Sequence, residues 1–269
     1  LRRTGREYTG EIAFVVVVAR KDDPQHPQLD EVHRLPKSLF GIPVDVQQLP
    51  QAHLKNVAGG GLVRRATSAG GGHIGLVAKD QAGRVHALTA MHVFDDQVST
   101  RPLANGPYFD VEARMFVGPF QTIGKLLGGE FDADTDIANV LVDAGLGSSS
   151  RLLGTDVELG RPPPDVPFVN VEIAVPGVPR LSGHLAGTDV DERFPTATGI
   201  MTFRGLLHFR IAGQGIEDGW SGSVVFDPAT QRPLSLLSFG TDTVDADGFS
   251  HVYGFPLAAQ YEQWGLRPL

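Results

Sequence analysis

Residues 73–92 read HIGLVA-KDQAGR-VHALTA-MH. Two apolar runs, 73–78 and 85–90, flank a polar segment in which Asp80 and Gly83 are turn residues. This pattern predicts a β-hairpin whose second arm ends in small residues and delivers His92. The same texture continues downstream. Residues 111–117 and 122–127 read as a second strand pair and 137–142 as a further strand. Residues 166–174, 181–185, 206–211, 223–226, 234–239 and 250–253 extend the series. Short strands at such spacing, punctuated by 33 Gly and 19 Pro spread along the chain, indicate a barrel or sandwich and not βαβ units. Only 256–264 (PLAAQYEQW) reads as a helix, with Pro256 in its first turn and Gly265 directly after it.

Upstream of the hairpin, 12–19 (IAFVVVVA) is short, β-branched and continuous, as a buried strand would be. The charge-mixed, Pro-containing segment 21–37 reads as an exposed connection, and 41–46 (GIPVDV) as a short strand kept at a sheet edge by Pro43. The Gly-rich stretch 58–61 reads as a hinge, and 145–164, rich in Gly, Ser and Pro, as a link between two β-bodies. The expected organisation is an N-terminal extension over 1–61 packed on the rest, a first barrel over 62–150, and a second barrel with a C-terminal helix over 151–269.

Bulk properties exclude some functions. The net charge is −8, and basic residues cluster no further than pairs such as Arg2-Arg3 and Arg64-Arg65, so no phosphate-binding surface is expected. No apolar run approaches the ~20 residues of a membrane-spanning helix. The absence of cysteine fits a reducing, cytoplasmic setting. His73, His86 and His92 have no metal-ligand spacing such as HExxH and alternate with apolar residues as strand residues do, so neither metal nor cofactor is expected.

Three short segments carry potential chemistry: LTAMH at 88–92, DTDIA at 134–138, and GWSGS at 219–223. Each alone is a common turn or strand end. Together they place His92, Asp136 and Ser221 in the order His, Asp, Ser, 44 and then 85 residues apart. A serine hydroxyl is a weak nucleophile that needs an adjacent base, and an imidazole titrates near neutral pH. A carboxylate orients that imidazole and stabilises its charged form. Asp132 and Asp134 are rivals for this role, and Asp136 is preferred because it abuts the apolar strand. Backbone N–H groups of Gly219 and Ser221 are the expected oxyanion hole. An α/β-hydrolase would place its serine before the acid and histidine, between strand and helix, unlike this chain.

These segments resemble the motifs of the trypsin-like, chymotrypsin-fold serine peptidases. LTAMH is similar to the family's T-A-[small]-H, DIANV to D-[IV]-A-[hydrophobic] with polar Asn139 as a departure, and GWSGS to G-[DN]-S-G-[GS]. Leu237-Ser238-Phe239-Gly240 is similar to the Ser-Trp-Gly strand lining the primary pocket, and Val252-Tyr253-Gly254-Phe255 to the last pocket strand. The likeness runs from about residue 70 to the C-terminus and is greatest to bacterial, cysteine-free members, whose N-terminal region also carries a segment like LPKSLFGIPVDV at 35–46. The resemblance implies an all-β fold of two six-stranded antiparallel barrels and a serine endopeptidase acting on protein or peptide substrates. A secreted origin stays open, since some secreted bacterial proteases also lack cysteine. By analogy, a regulated protease in bacterial defence or signalling, with a regulatory protein partner, is the expected setting. The alternative is an inactive protease-fold binding module, against which stands the presence of all three residues.

Two departures bear on behaviour. Relatives activated by cleavage carry Asp just before the serine, paired with a new N-terminus. Trp220 cannot form that pair, so no such activation is expected. Six residues before the serine, where trypsin's selective aspartate stands, is Gly215. A pocket formed by Gly215, Ile216, Ser238, Phe239 and Gly240 would favour small or apolar residues. Glu217 and Asp218 are read as solvent-facing, and His251 as a candidate contact for an acidic side chain.

Overall fold

The computed structural model describes residues 3–4, 7–8, 14–18, 38–40, 42–48, 56–67, 70–103, 106–108, 110–116, 120–175 and 178–269. The chain divides into two compact units, residues 1–53 with 117–119 and residues 54–116 with 120–269. In the smaller unit, β1 (Arg3–Thr4) pairs with β2 (Glu7–Tyr8). There β5 (Ile42–Gln48) lies between β3 (Phe14–Val18), parallel to it, and β4 (Ser38–Leu39), antiparallel. The segment expected at an edge is thus a central strand. Pro43 is tolerated because it faces only Ser38 of β4, and β3 begins to pair at Val44. The expected connection 21–37 lies outside the described residues.

The larger unit holds two curled antiparallel sheets. In chain order its first half comprises β6 (Asn56–Ala58), β7 (Leu62–Arg65), β8 (Gly72–His73), β9 (Leu76–Lys79), β10 (Val85–Thr89), β11 (Ser99–Arg101), β12 (Glu112–Phe116), β13 (Phe120–Phe131), β14 (Asp136–Val142) and β15 (Gly147–Ser149). The second half comprises β16 (Asn170–Ile173), β17 (Leu181–Thr196), β18 (Gly199–Ala212), β19 (Val224–Asp227), β20 (Arg232–Leu236), β21 (Phe239–Gly240), β22 (Phe249–Gly254), α1 (Ala258–Gln263) and β23 (Arg267–Pro268). The first sheet runs β23-β9-β10-β14-β13-β12-β7-β8 with β11 on β13, and the second β20-β19-β16-β17-β18-β22-β21. With the short strands β8, β11 and β23 the first sheet has nine strands, and the second has seven, where the resemblance implies six per barrel.

The predicted hairpin is present at β9 and β10, with Gly83 at φ +80° in its turn. The run 73–78 is not one strand, however. It breaks at Gly75, where a Cβ would collide with Leu236 and the Gly222 carbonyl of the other sheet. Residues 58–61, read as a hinge, form a buried turn, and β6 pairs in parallel with β15 from the expected linker.

Leu76, Ala78, Leu88 and Ile137 of the first sheet meet Val224, Phe226 and Leu236 of the second, and Leu257, Tyr261 and Leu266 close the seam. Burying each Leu, Ile, Val or Phe among them is worth about 1.5–3 kcal/mol. The helix begins two residues later than the 256–264 reading and ends before Gly265, at φ +61°. It lowers Tyr261 into the seam, and β23 then returns to pair with β9. A separate interior fills the second barrel, with Ile173, Leu185, Phe209, Ile211, Val225 and Val252 among its members. The β17–β18 hairpin extends well past the predicted 181–185 and 206–211 segments.

Candidate active site

At the end of β10 the chain winds into a 3₁₀ turn, Met91–Val93. Met91 and Val93 are buried and anchor it, so the residue between them is turned toward the cleft: the His92 side chain stays 22% exposed. Strand β14 lies beside β10, with Thr89 opposite Ala138, and this register brings Asp136, the first residue of β14, to His92. Asp136 Oδ2 contacts His92 Nδ1 at 2.7 Å, and Oδ1 accepts the His92 backbone N–H at 3.1 Å. The Asp136 side chain is fully buried. Burial of the imidazole works against its charged form, but the Asp136 charge and hydrogen bond, with Asp96 adding to them, outweigh it and raise the His92 pKa. The rival carboxylates are occupied elsewhere. Asp134 pairs with Arg204 at 3.2 Å, and Asp132 Oδ1 accepts the N–H groups of Asp134 and Thr135.

Ser221 lies in the turn preceding β19. Gly219 and Gly222 sit at φ +90° and +82°, conformations that favour glycine. A Cβ on Gly222 would also strike the His73 carbonyl and Thr89 Oγ1 of the first barrel. Trp220 is buried in the second-barrel core. Within this turn the N–H of Trp220 donates to Glu217 O (3.3 Å), that of Gly222 to Leu237 O (2.7 Å) and that of Ser223 to Trp220 O (3.0 Å). Among the described residues, the N–H groups of Gly219 and Ser221 have no acceptor. Two adjacent, unengaged donors are what a developing oxyanion requires.

The predicted pocket residues come together beside this turn. Phe239 of β21 stacks against His92, ring centroids 6.3 Å apart and 16° from parallel. Ile216 N–H donates to Thr241 O at 2.8 Å, and the Ile216 side chain fills the space where a Cβ on Gly240 would stand. Gly215 has no room for a Cβ either, because the Asp242 backbone occupies it. Ser238 is buried, while Glu217 and Asp218 are exposed. His251, read as a candidate contact for an acidic side chain, has both ring nitrogens engaged in this structure. Its Nδ1 meets His208 Nε2 at 2.8 Å, and its Nε2 meets Asp245 Oδ2 at 3.2 Å.

Two residues near the site were passed over in the sequence. Phe194, from the long hairpin, stacks on Phe239 at 4.4 Å and 8°. His73 was read only as a strand residue, yet its backbone N–H donates to Ser221 O at 2.7 Å. The glycines at 70–72 preceding it were the available signal: Gly72 leaves no room for a Cβ against the Ser221 carbonyl and Val93.

No family model matches the sequence, and no curated protein matches it. Solved structures do. The chymotrypsin of Cellulomonas bogoriensis is 18% identical, with a TM-score of 0.56 over 80% of this chain and 98% of that one. The Nocardiopsis protease is 15% identical, with a TM-score of 0.56 over 79% and 98%. A glutamic acid specific serine protease, described as using a histidine triad in substrate binding, is 15% identical with a TM-score of 0.60 over 79% and 100%. The fold of this cysteine-free chain is the chymotrypsin-like double barrel of bacterial serine proteases.

Proposed function

We propose that this chain is a serine endopeptidase in which Ser221 is the nucleophile, His92 the general base and acid, and Asp136 the carboxylate that orients His92. The observation that carries this reading is the two-point hold of His92 by a fully buried Asp136, whose carboxylate has no other partner among the described residues. With Nδ1 held, Nε2 is the ring atom left to take the Ser221 proton as Oγ attacks a substrate carbonyl. The charge on the carbonyl oxygen falls to the N–H groups of Gly219 and Ser221. His92 then returns the proton to the leaving amine, giving an acyl-enzyme that water hydrolyses by the same route.

Substrate placement follows from sheet chemistry. Strand β21 ends its sheet, so an extended peptide can add to it beside Phe239. Ser238, Phe239 and Gly240 supply that edge, and Gly215 with Ile216 form the facing wall. Ile216 and Phe239 favour a small or apolar side chain, and Gly215 offers nothing to a basic one. The cellular setting we assign is that of a regulated cytoplasmic protease in bacterial defence or signalling, a reading supported by the sequence resemblance and the lack of cysteine.

Labelling with a fluorophosphonate probe tests the core of the proposal. The wild type should react and Ser221→Ala should not. Equal labelling of both, or none of either, would overturn it in favour of an inactive binding module.

A further inference from the structure

We propose that Phe203 is a positioning residue for His92, holding from the second barrel the two rings that touch the imidazole; the inference rests on the peptidase reading above. Residues 186–205, the outer part of the β17–β18 hairpin, are exposed or half-buried except for Phe203, which has no exposed surface at all. Its burial comes largely from elsewhere in the chain. The ring meets Phe131 at 5.7 Å and 22°, Phe239 at 4.4 Å and 42°, and Phe255 at 6.4 Å and 66°. Aromatic pairs attract at such separations.

Asp136 fixes one atom of the His92 ring, Nδ1. The torsion that turns an imidazole about its stem is broad, so the plane carrying Nε2 must be set by packing. Two rings touch that imidazole among the described residues: Phe131 at 5.8 Å and 51°, and Phe239 at 6.3 Å and 16°. They come from different barrels, Phe131 from β13 and Phe239 from β21, so neither sheet alone fixes their spacing. Phe203 is the ring besides His92 that touches both. Phe131 also lies opposite Asp136 in the β13–β14 register, so the same contact bears on the strand end that presents the carboxylate. The next residue, Arg204, holds the turn between them. Its N–H donates to Ala133 O at 2.8 Å, and its Nε meets Asp134 at 3.2 Å.

Three variants of the full chain test this. Phe203→Leu removes the flat ring, and Phe203→Met keeps its reach with an adaptable chain. Phe209→Leu is the control, an equally buried ring further along β18 in the second-barrel interior. Leu at 203 and Leu at 209 should lower Tm to a similar extent. Only the change at 203 should slow the chemistry. On the best peptide from library profiling, Phe203→Leu should lower kcat and the fluorophosphonate labelling rate together, about 10–100-fold, the scale of a misplaced catalytic group. Phe209→Leu should change both less than about threefold. Phe203→Met should lose less in the same direction, and it carries the comparison where Phe203→Leu does not fold. Unchanged labelling in the 203 variants, equal losses at 203 and 209, or a change confined to KM would overturn the proposal. The last is what a residue serving the substrate wall alone would give. The His92 ring proton shared with Asp136 gives a readout without turnover. Its downfield NMR signal, assigned by its loss in His92→Ala, should persist in Phe209→Leu and broaden through faster exchange in the 203 variants. An unchanged signal in the 203 variants, or its absence from the wild type, would refute the hold. If the wild type shows no Ser221-dependent labelling, the peptidase reading fails, while this signal still decides whether Phe203 holds the imidazole.

Discussion

Two of the aspartate–histidine contacts among the described residues of the larger unit have opposite character. Asp136 meets His92 at 2.7 Å, and Asp245 meets His251 at 3.2 Å. Asp136 is fully buried and gives both oxygens to one residue. Asp245 is 28% exposed and divides its oxygens among the N–H groups of Asp247 and Phe249, the Arg210 guanidinium at 2.8 Å, and His251. The histidine beyond it, His208, has its pKa lowered by burial, by His251 and by Arg210, whereas that of His92 is raised. Among the described residues the Asp136 carboxylate acts on His92 alone, whereas that of Asp245 is shared with Arg210.

The largest effect that would test this contrast is on turnover. Asp136→Asn should lower kcat about 10⁴-fold by releasing the His92 tautomer, while Asp245→Asn should change it less than about threefold. Steady-state kinetics of the two variants on one peptide decides between them. Comparable losses would break the distinction. A pH profile sharpens it. His92 must be neutral to accept a proton and its pKa is raised, so kcat/KM should fall about tenfold per pH unit below a midpoint above 6.5. Asp245→Asn should leave that midpoint in place.

Stability gives the converse test. Hydrogen bonding from the Phe249 N–H, with Arg210 and the Asp247 N–H, holds the Asp245 pKa at about 2, below its ordinary 3.8. A lowered carboxylate pKa stabilises the fold above the unfolded value, and that contribution disappears as the group protonates. Asp245→Asn should therefore melt below wild type at neutral pH, and the gap should close as the pH falls from about 4 to 2. Thermal melts across that range check it. The smallest effect concerns the rings that join the two regions: His92, Phe239, Phe194, Tyr253 and His208 touch in succession, stacked except for the edge-on Phe194–Tyr253 pair. Phe194→Ala should cost about 1 kcal/mol, a fall in Tm of about 2–4 °C.

Much of this was legible because it depends on local pattern. Apolar alternation located the β9–β10 hairpin, β14 and β22, and a strand end of small residues marked His92. Asp136 was separable from Asp132 and Asp134 because it adjoins an apolar strand, and burial accompanies that strand. The outer β17–β18 hairpin was not legible. Its residues 186–205 carry Asp, Glu, Arg and Pro195, and of them only Phe203 is fully buried, so no buried stripe signals a strand. The contact of His73 with the serine turn was hidden for a different reason. Its partner, Ser221, lies more than a hundred residues away, and a main-chain hydrogen bond leaves no mark on residue type.

The returning strand β23 also bears on when the cleft comes into being. During synthesis the His92–Asp136 half, with β10 and β14, emerges first. Ser221 follows only after a further 85 residues, and Tyr261, Leu266 and the β23 strand that seal the seam come later still. A ribosome-bound chain thus exposes a base without a nucleophile, then a nucleophile without a closed seam. On the peptidase reading, the order of translation delays a complete site until the two barrels are joined.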